Sequence, residues 1–205
     1  MKKTKKYSIL IPTRNGGKYV CDAVESVLNT DFDDFELVVS VNHSEDETLK
    51  KLSDFNDSRL RVVVPPKLLS MQMHYEWCLS LATAEWVTIL GDDDGVLPDF
   101  FSTLNQLLEK YGDDTLDGIT FQRAYYFWPG CDKSERDLVV NVRSGNSVRR
   151  LNGKALIDQA INNSISHYDL PQVYTNNIIR NSLIKEIREQ SGGVFYHELV
   201  PDVYS

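Results

Sequence analysis

Tyr7-Ser8-Ile9-Leu10-Ile11-Pro12-Thr13-Arg14-Asn15-Gly16-Gly17 decides the fold. Residues 7–11 read as a short apolar strand, and Pro12 is expected to end it. A loop of small and polar residues follows, then a helix over 18–28. Val20, Ala23, Val24, Val27 and Leu28 share one face of that helix. Residues 35–41 form a second, β-branched strand. Ser44 is placed to cap the next helix, where Leu49, Leu52 and Phe55 have helical spacing. A third strand, 60–64, stops at Pro65-Pro66. Residues 71–82 read as a helix and 86–90 as a fourth strand. Asp99 then caps a helix striped by Phe101, Leu104, Leu108 and Tyr111, and 119–121 reads as a fifth strand.

This alternation requires a mostly parallel, Rossmann-like α/β sheet with helices on both faces. Ligands of such sheets bind beyond the carboxyl ends of the strands. The loops after Ile11, Val41, Val64 and Leu90 are therefore where chemistry is expected. From about residue 124 the pattern is less regular. It holds the aromatic run Tyr125-Tyr126-Phe127-Trp128-Pro129, a charged loop at 132–137, and helical patterns at 154–161 and 183–189. No linker composition separates the parts. One domain over 1–205 is expected, with a ligand-binding half over 1–123 and an acceptor-side half over 124–205. The last residues, Pro201 to Ser205, carry no terminating signal and read as a truncated end.

Composition narrows the function classes. At 205 residues the chain can bury roughly 70% of its unfolded surface. Its net charge of −8 argues against nucleic acid, whose backbone needs a basic face. An acidic protein that binds a phosphate compound needs a local cation. The cysteines, Cys21, Cys78 and Cys131, are odd in number and have no CxxC spacing, so a reducing cytosol is expected. No run approaches the roughly 20 apolar residues of a membrane span. The lysines at positions 2, 3, 5 and 6 offer a peripheral contact with anionic lipid at the inner membrane face, although a solvated tail is the plainer reading.

The strongest chemical signal is Gly91-Asp92-Asp93-Asp94-Gly95. Successive carboxylates raise the cost of ionising one another. A divalent cation relieves that repulsion, and hard oxygen ligands suit Mn²⁺ or Mg²⁺. A plain acidic turn is the alternative. The position of the triplet, at the carboxyl end of a central strand, favours the metal. The loop 12–17 leads into a helix whose backbone N–H groups can receive an anion. It is neither GxGxxG nor a P-loop, which disfavours dinucleotide and Walker-type sites. In Asn42-His43-Ser44-Glu45-Asp46-Glu47-Thr48, capping explains much, and Asn42 is the candidate ligand contact. His197-Glu198 begins like HExxH, but Pro201 occupies the fifth position.

Read in order, these stretches resemble the large inverting glycosyltransferase family of GT-A fold, that is, glycosyltransferase family 2. Residues 7–15 resemble its opening strand with Pro-Thr-x-Asn, and 23–28 its first helix. Residues 42–48 resemble its Asp-Asn-x-Ser-x-Asp-x-Thr segment, and 86–98 its strand ending in the acidic metal motif. Together they span residues 7 to 111. The resemblance implies a single-displacement transfer, with inversion, of a sugar from a nucleotide-diphosphate donor, UDP-sugar favoured. The acceptor is the hydroxyl of a saccharide or of a lipid-linked molecule, in surface polysaccharide or glycoconjugate synthesis. It implies donor contacts from Pro12, Thr13, Arg14, Asn15, Asn42, Asp46 and Asp92. It also implies a metal held by Asp93 first, with Asp94 and Asp92. Asp202 or Glu198, and less so Asp169, would be the proton acceptor. Lys67 and His74 are further candidates to reach the donor, and the aromatic run 125–128 to form a sugar platform.

Two positions depart from the family. Its base-binding aspartate falls on Val41, which cannot accept a hydrogen bond from a pyrimidine. Counting back from Pro98 puts Gly91 where the family often has its first acid, which selects Asp93; the triplet read directly gives Asp92-x-Asp94. Two competing readings follow. A sugar nucleotidyltransferase would need a more basic first loop than Arg14 and Lys18 provide. A degenerate domain that binds a nucleotide or glycan without turnover is favoured by Val41 and opposed by the acidic triplet.

Overall fold

A computed structural model describes residues 5–122, 124–126, 140–141, 147–165, 170 and 174–196. Strand β1, Tyr7–Thr13, runs two residues past its expected end, straight through Pro12. It pairs in parallel along its whole length with β2, Phe35–Val41. It pairs with β4, Trp86–Ile89, only from Tyr7 to Leu10. The carbonyls of Lys6 and Leu10 turn to the β4 side, where they accept from Trp86 and Leu90, whereas that of Thr13 accepts from Asn42 on the β2 side. By the same alternation Pro12 turns its nitrogen toward the side that β4 has already left. A proline there costs no ladder hydrogen bond.

The other elements follow the expected order. Helix α1 is Val20–Leu28, α2 Thr48–Leu52, β3 Leu60–Val63, α3 Met71–Ser80, α4 Phe100–Tyr111 and β5 Gly118–Thr120. After these come β6 (Tyr125–Tyr126), β7 (Val140–Asn141), α5 (Gly153–Ile161), β8 (Asn177–Arg180) and α6 (Asn181–Gln190). The main sheet has the order β3-β2-β1-β4-β8-β5. The expected mostly parallel α/β sheet is present. β8 was not expected; it runs antiparallel to β4 and lies between β4 and β5. α2 is a single short turn that excludes Phe55. Two compact units result, 1–119 with 178–205, and 120–177. Within the second, β6 and β7 form an antiparallel pair and Asn152 caps α5.

Side-chain alternation fixes what covers each face of the first unit. Tyr7 of β1 and Phe35 of β2 meet Phe101 of α4, with ring centroids at 5.2 and 4.9 Å. Phe32 completes the cluster. Arg59 lies over Phe35 and donates from Nη2 to the Leu28 carbonyl, so a cation closes the carboxyl end of α1. On the opposite face, Ser40 of β2 meets His74 of α3, Oγ to Nε2 at 2.8 Å. Burial pushes the Cys78 thiol on the same helix up to about 12, which suits an inert core group.

His74 is buried and has its pKa pushed down to about 4 by that burial, from an ordinary 6.5. Above pH 6.5 it is neutral in both folded and unfolded chains. Between pH 6.5 and 4 only the unfolded chain takes up the proton, so stability falls as pH falls through that window. The expected loss from this group is on the order of 2 to 3 kcal/mol by pH 4.5. Urea midpoints measured at pH 7 and 4.5 should show a smaller drop for His74→Gln than for the wild type. Equal drops would place the acid sensitivity elsewhere.

Candidate functional site

The strand order reverses between β1 and β4, and the carboxyl ends of those strands flank the crevice where such sheets bind ligands. Thr13 closes β1 and Asp92 follows β4. Thr13 Oγ1 donates to Asp92 Oδ2 at 2.5 Å. Gly16 arches over the pair: a Cβ there would collide with both Thr13 Oγ1 and Asp92 Oδ2. Glycine is thus required for close approach, not for an unusual φ.

Among the described residues no lysine or arginine pairs with Asp92 or Asp93. Burial raises the Asp92 pKa, against the lowering effect of the Thr13 hydroxyl, and Asp93 and Asp94 raise it further. Burial raises that of Asp93 as well, and the neighbouring Asp94 adds to it. Asp93 is the exposed member of the three. Uncompensated carboxylates with hard oxygen donors fit a cation that takes one or two protein ligands and completes its shell with phosphate oxygens and water. Asp92 already engages one oxygen with Thr13, whereas Asp93 is exposed. No three His, Cys, Asp or Glu side chains converge as a ligand set among the described residues.

The first two loops are stitched to each other. Asn15, with a positive φ of 58° that asparagine tolerates, donates its N–H to Ser44 Oγ at 2.9 Å. Its own Oδ1 accepts from Glu45 N–H at 2.8 Å. Gly17 N–H donates to Asp46 Oδ2 at 3.0 Å, and Asp46 Oδ1 accepts from both the N–H and the hydroxyl of Thr48. These bonds, that from the Thr48 hydroxyl foremost, hold the Asp46 carboxyl below its ordinary range. Capping of α2 was expected from Ser44. Glu47 holds the N-cap position without a side-chain cap bond, Asp46 just before it accepts from the first helical N–H, that of Thr48, and Ser44 serves the neighbouring loop. Arg14 stays half-exposed near Glu45, at 4.0 Å.

Asn42 is buried and its amide is fully engaged: Nδ2 donates to the Leu69 carbonyl at 2.9 Å, and Oδ1 accepts from Leu69 N–H at 3.0 Å. It anchors the loop after β3 to the end of β2, as His43 does through Pro65 at 3.0 Å. Val41 is only 1% exposed, so its methyls belong to the core beside Thr13. His74 likewise faces Ser40 inside the protein and not the crevice. Lys67 is exposed on the loop after β3. Glu198, Asp202, His197, Asp169, Phe127 and Trp128 lie outside the described residues. The Thr13–Asp92 and Asn42–Leu69 pairings had no local signal in the sequence.

Comparison with known proteins adds the family context. A family model described as Glycosyl transferase family 2 matches residues 8–186. Glycosyltransferase GlyG of Streptococcus pneumoniae is 24% identical over 141 residues, 65% of this chain and 47% of its own length. The GalNAc(5)-diNAcBac-PP-undecaprenol beta-1,3-glucosyltransferase of Campylobacter jejuni is 32% identical over 104 residues, 49% of this chain and 34% of its own length. The chain therefore spans less than half of each of these relatives. Among solved structures, S. aureus TarS 1-349 in complex with UDP-GlcNAc superposes with a TM-score of 0.61 at 18% identity, over 89% of this chain and 47% of that one. The mannosyltransferase PcManGT of Pyrobaculum calidifontis, in complex with GDP-Man and Mn²⁺, gives 0.51 at 19% identity, over 60% and 36%. At such identities the structural likeness speaks for the fold.

Proposed function

The chain belongs to glycosyl transferase family 2 and has its GT-A fold, and on that premise we propose that it transfers a sugar, with inversion, from a nucleotide-diphosphate donor to an acceptor hydroxyl in a divalent-metal-dependent reaction. The observation that carries this reading is the acidic triplet at the topological switch point, half-buried at Asp92 and braced there by Thr13, with no lysine or arginine paired to Asp92 or Asp93 among the described residues. Asp93, with Asp94, would hold Mn²⁺ or Mg²⁺. Such a cation supplies charge stabilisation to a leaving diphosphate.

The chain's own residues have distinct tasks. Thr13 keeps Asp92 turned toward β1. Gly16 leaves room for the donor loop to lie against that pair. Asn15, Ser44 and Asp46 hold the first two loops in one arrangement, which fixes the shape of the loop 12–17 that meets the donor. Asn42 shapes the pocket through Leu69. A carboxylate outside the triplet, Asp202 or Glu198, takes the proton of the attacking hydroxyl. Uridine diphosphate sugars are the first donors to test, because TarS, similar in fold, binds UDP-GlcNAc. A lipid-linked saccharide is the first acceptor class, because the Campylobacter relative is named for an undecaprenol-linked glycan. Val41 favours a second reading, a binding domain without turnover, since its buried side chain offers a base no acceptor.

The test is release of free nucleoside diphosphate from a panel of sugar nucleotides, with Mn²⁺ and with EDTA, in the presence of polyprenyl-linked saccharides. Release from at least one donor in Mn²⁺ only is the expected result. A thermal shift with nucleotide but no release from any donor would select the binding domain. Pyrophosphate release from a nucleoside triphosphate and a sugar phosphate would select the nucleotidyltransferase.

A further inference from the structure

The loop that carries Asp93 is attached to the rest of the first unit on both sides of its turn. The chain leaves β4 and turns at Asp92 and Asp93, where the Asp94 N–H donates to the Gly91 carbonyl at 3.2 Å. On the incoming side Asp92 takes the Thr13 hydroxyl of β1. On the outgoing side the Val96 N–H donates to Ser26 Oγ of α1 at 3.1 Å. Between these two attachments lie only Asp93, Asp94 and Gly95.

Nothing in α1 itself calls for a serine at position 26. The face of α1 that enters the core is made by Val20, Ala23, Val24 and Val27, and Ser26 stands half-buried beside it. Serine is a poorer helix former than alanine, and a hydroxyl that bonds back to its own helix weakens the helix slightly. Ser26 makes that bond, donating to the Ala23 carbonyl at 2.7 Å. With its proton committed there, the oxygen is left as an acceptor of fixed direction, and Val96 N–H meets it. Val96 belongs to no helix or strand, so its N–H has no ladder to join and Ser26 supplies the partner. Gly95 permits the approach, because a Cβ there would stand 3.3 Å from Ser26 Oγ. The gain from Ser26 thus falls on the loop and not on the helix.

We infer that Ser26 is a positioning residue for divalent-cation binding, because it anchors the outgoing side of the turn that presents Asp93 while Thr13 anchors the incoming side. The inference rests on the proposed reading of Asp93 as the first metal ligand. A loop fixed on both sides holds that carboxylate in place before a cation arrives. Released on one side, the loop must be ordered by the cation itself, and affinity falls by that amount. The bonds that join the loop 12–17 to the loop after β2 do not include Ser26, so nucleotide contacts made there are independent of it.

Ser26→Ala keeps the helix and removes the acceptor. Mn²⁺ binding is read directly, from the electron paramagnetic resonance of the free ion in titrations with UDP present. The expected result is a Mn²⁺ dissociation constant higher by roughly 10-fold, the lower end of what loss of a group that orients a metal ligand produces. UDP affinity in EDTA, by calorimetry, should stay close to wild type. Unchanged Mn²⁺ binding in the folded variant overturns the inference. So does an equal loss of Mn²⁺ binding and of metal-free UDP binding, the mark of a general structural role. Where Ser26→Ala fails to fold, Ser26→Cys, whose sulfur is a much weaker acceptor, is judged by the same criteria. The underlying reading fails separately, through a wild-type protein that binds no Mn²⁺ or binds it no better than Asp93→Asn does, and either result removes the inference with it.

Discussion

Asp93→Asn is expected to remove most Mn²⁺-dependent turnover, by roughly 10²-fold or more, since a metal at a leaving diphosphate contributes several kcal/mol. The reason lies in the division of labour within the triplet. Asp92 has one oxygen bound by Thr13 and is confined by Gly16. Asp93 is the most exposed of the three; partial desolvation and the neighbouring Asp94 oppose its charge, and among the described residues no lysine or arginine pairs with it. Asparagine keeps the shape and removes a repelled charge. The variant should therefore melt no lower than wild type in EDTA, while the rise in melting temperature caused by Mn²⁺ with a nucleoside diphosphate disappears. Retention of that rise would move the first ligand to Asp94. Full activity in Asp92→Asn, Asp93→Asn and Asp94→Asn alike would mean that the metal site lies elsewhere.

The second large effect concerns proton removal. Inverting displacement needs one carboxylate that is not committed to a cation, because coordination lowers basicity. Asp202 follows Gly192-Gly193, Val194-Phe195 and His197-Glu198, with Pro201 directly before it to stiffen the backbone. Asp202→Asn should lower turnover by roughly 10²-fold or more, the usual scale for a general base. Donor affinity should change little, as measured by titration with the nucleoside diphosphate. Equal losses of binding and turnover would give Asp202 a structural role, and full activity would shift the assignment to Glu198.

Much of this architecture was legible in the sequence because it is written in local patterns. β2 carries Val38, Val39 and Val41 beside Phe35 and Leu37, α1 and α4 keep apolar stripes, and the carboxyl-end rule then points to the loops without further information. The misses share one physical cause, dependence on a distant partner. Pro12 reads as a strand breaker until β4 is seen to have left that side of β1. β8 has only Ile178 and Ile179 as apolar residues, too few to announce a strand, and its pairing with β4 decides it. Ser44 and Asp46 are equally good turn residues by chemistry, and only the approach of Asn15 and Gly17 separates their roles. Asn42 and His74 read as ligand candidates by residue type. Each is occupied instead, by Leu69 and by Ser40, at separations no periodicity can report.

The stitching of the first two loops has a thermodynamic consequence for any ligand that arrives there. Ordering one backbone residue costs on the order of 1 to 2 kcal/mol in conformational entropy. Asn15, Gly17, Ser44, Asp46 and Thr48 are constrained by hydrogen bonds among the protein's own groups. That cost is borne during folding, so association need not freeze a mobile rim, and the crevice is preorganised. Selectivity at this end of the sheet then comes from a fixed shape and not from adaptation of the loops to each candidate.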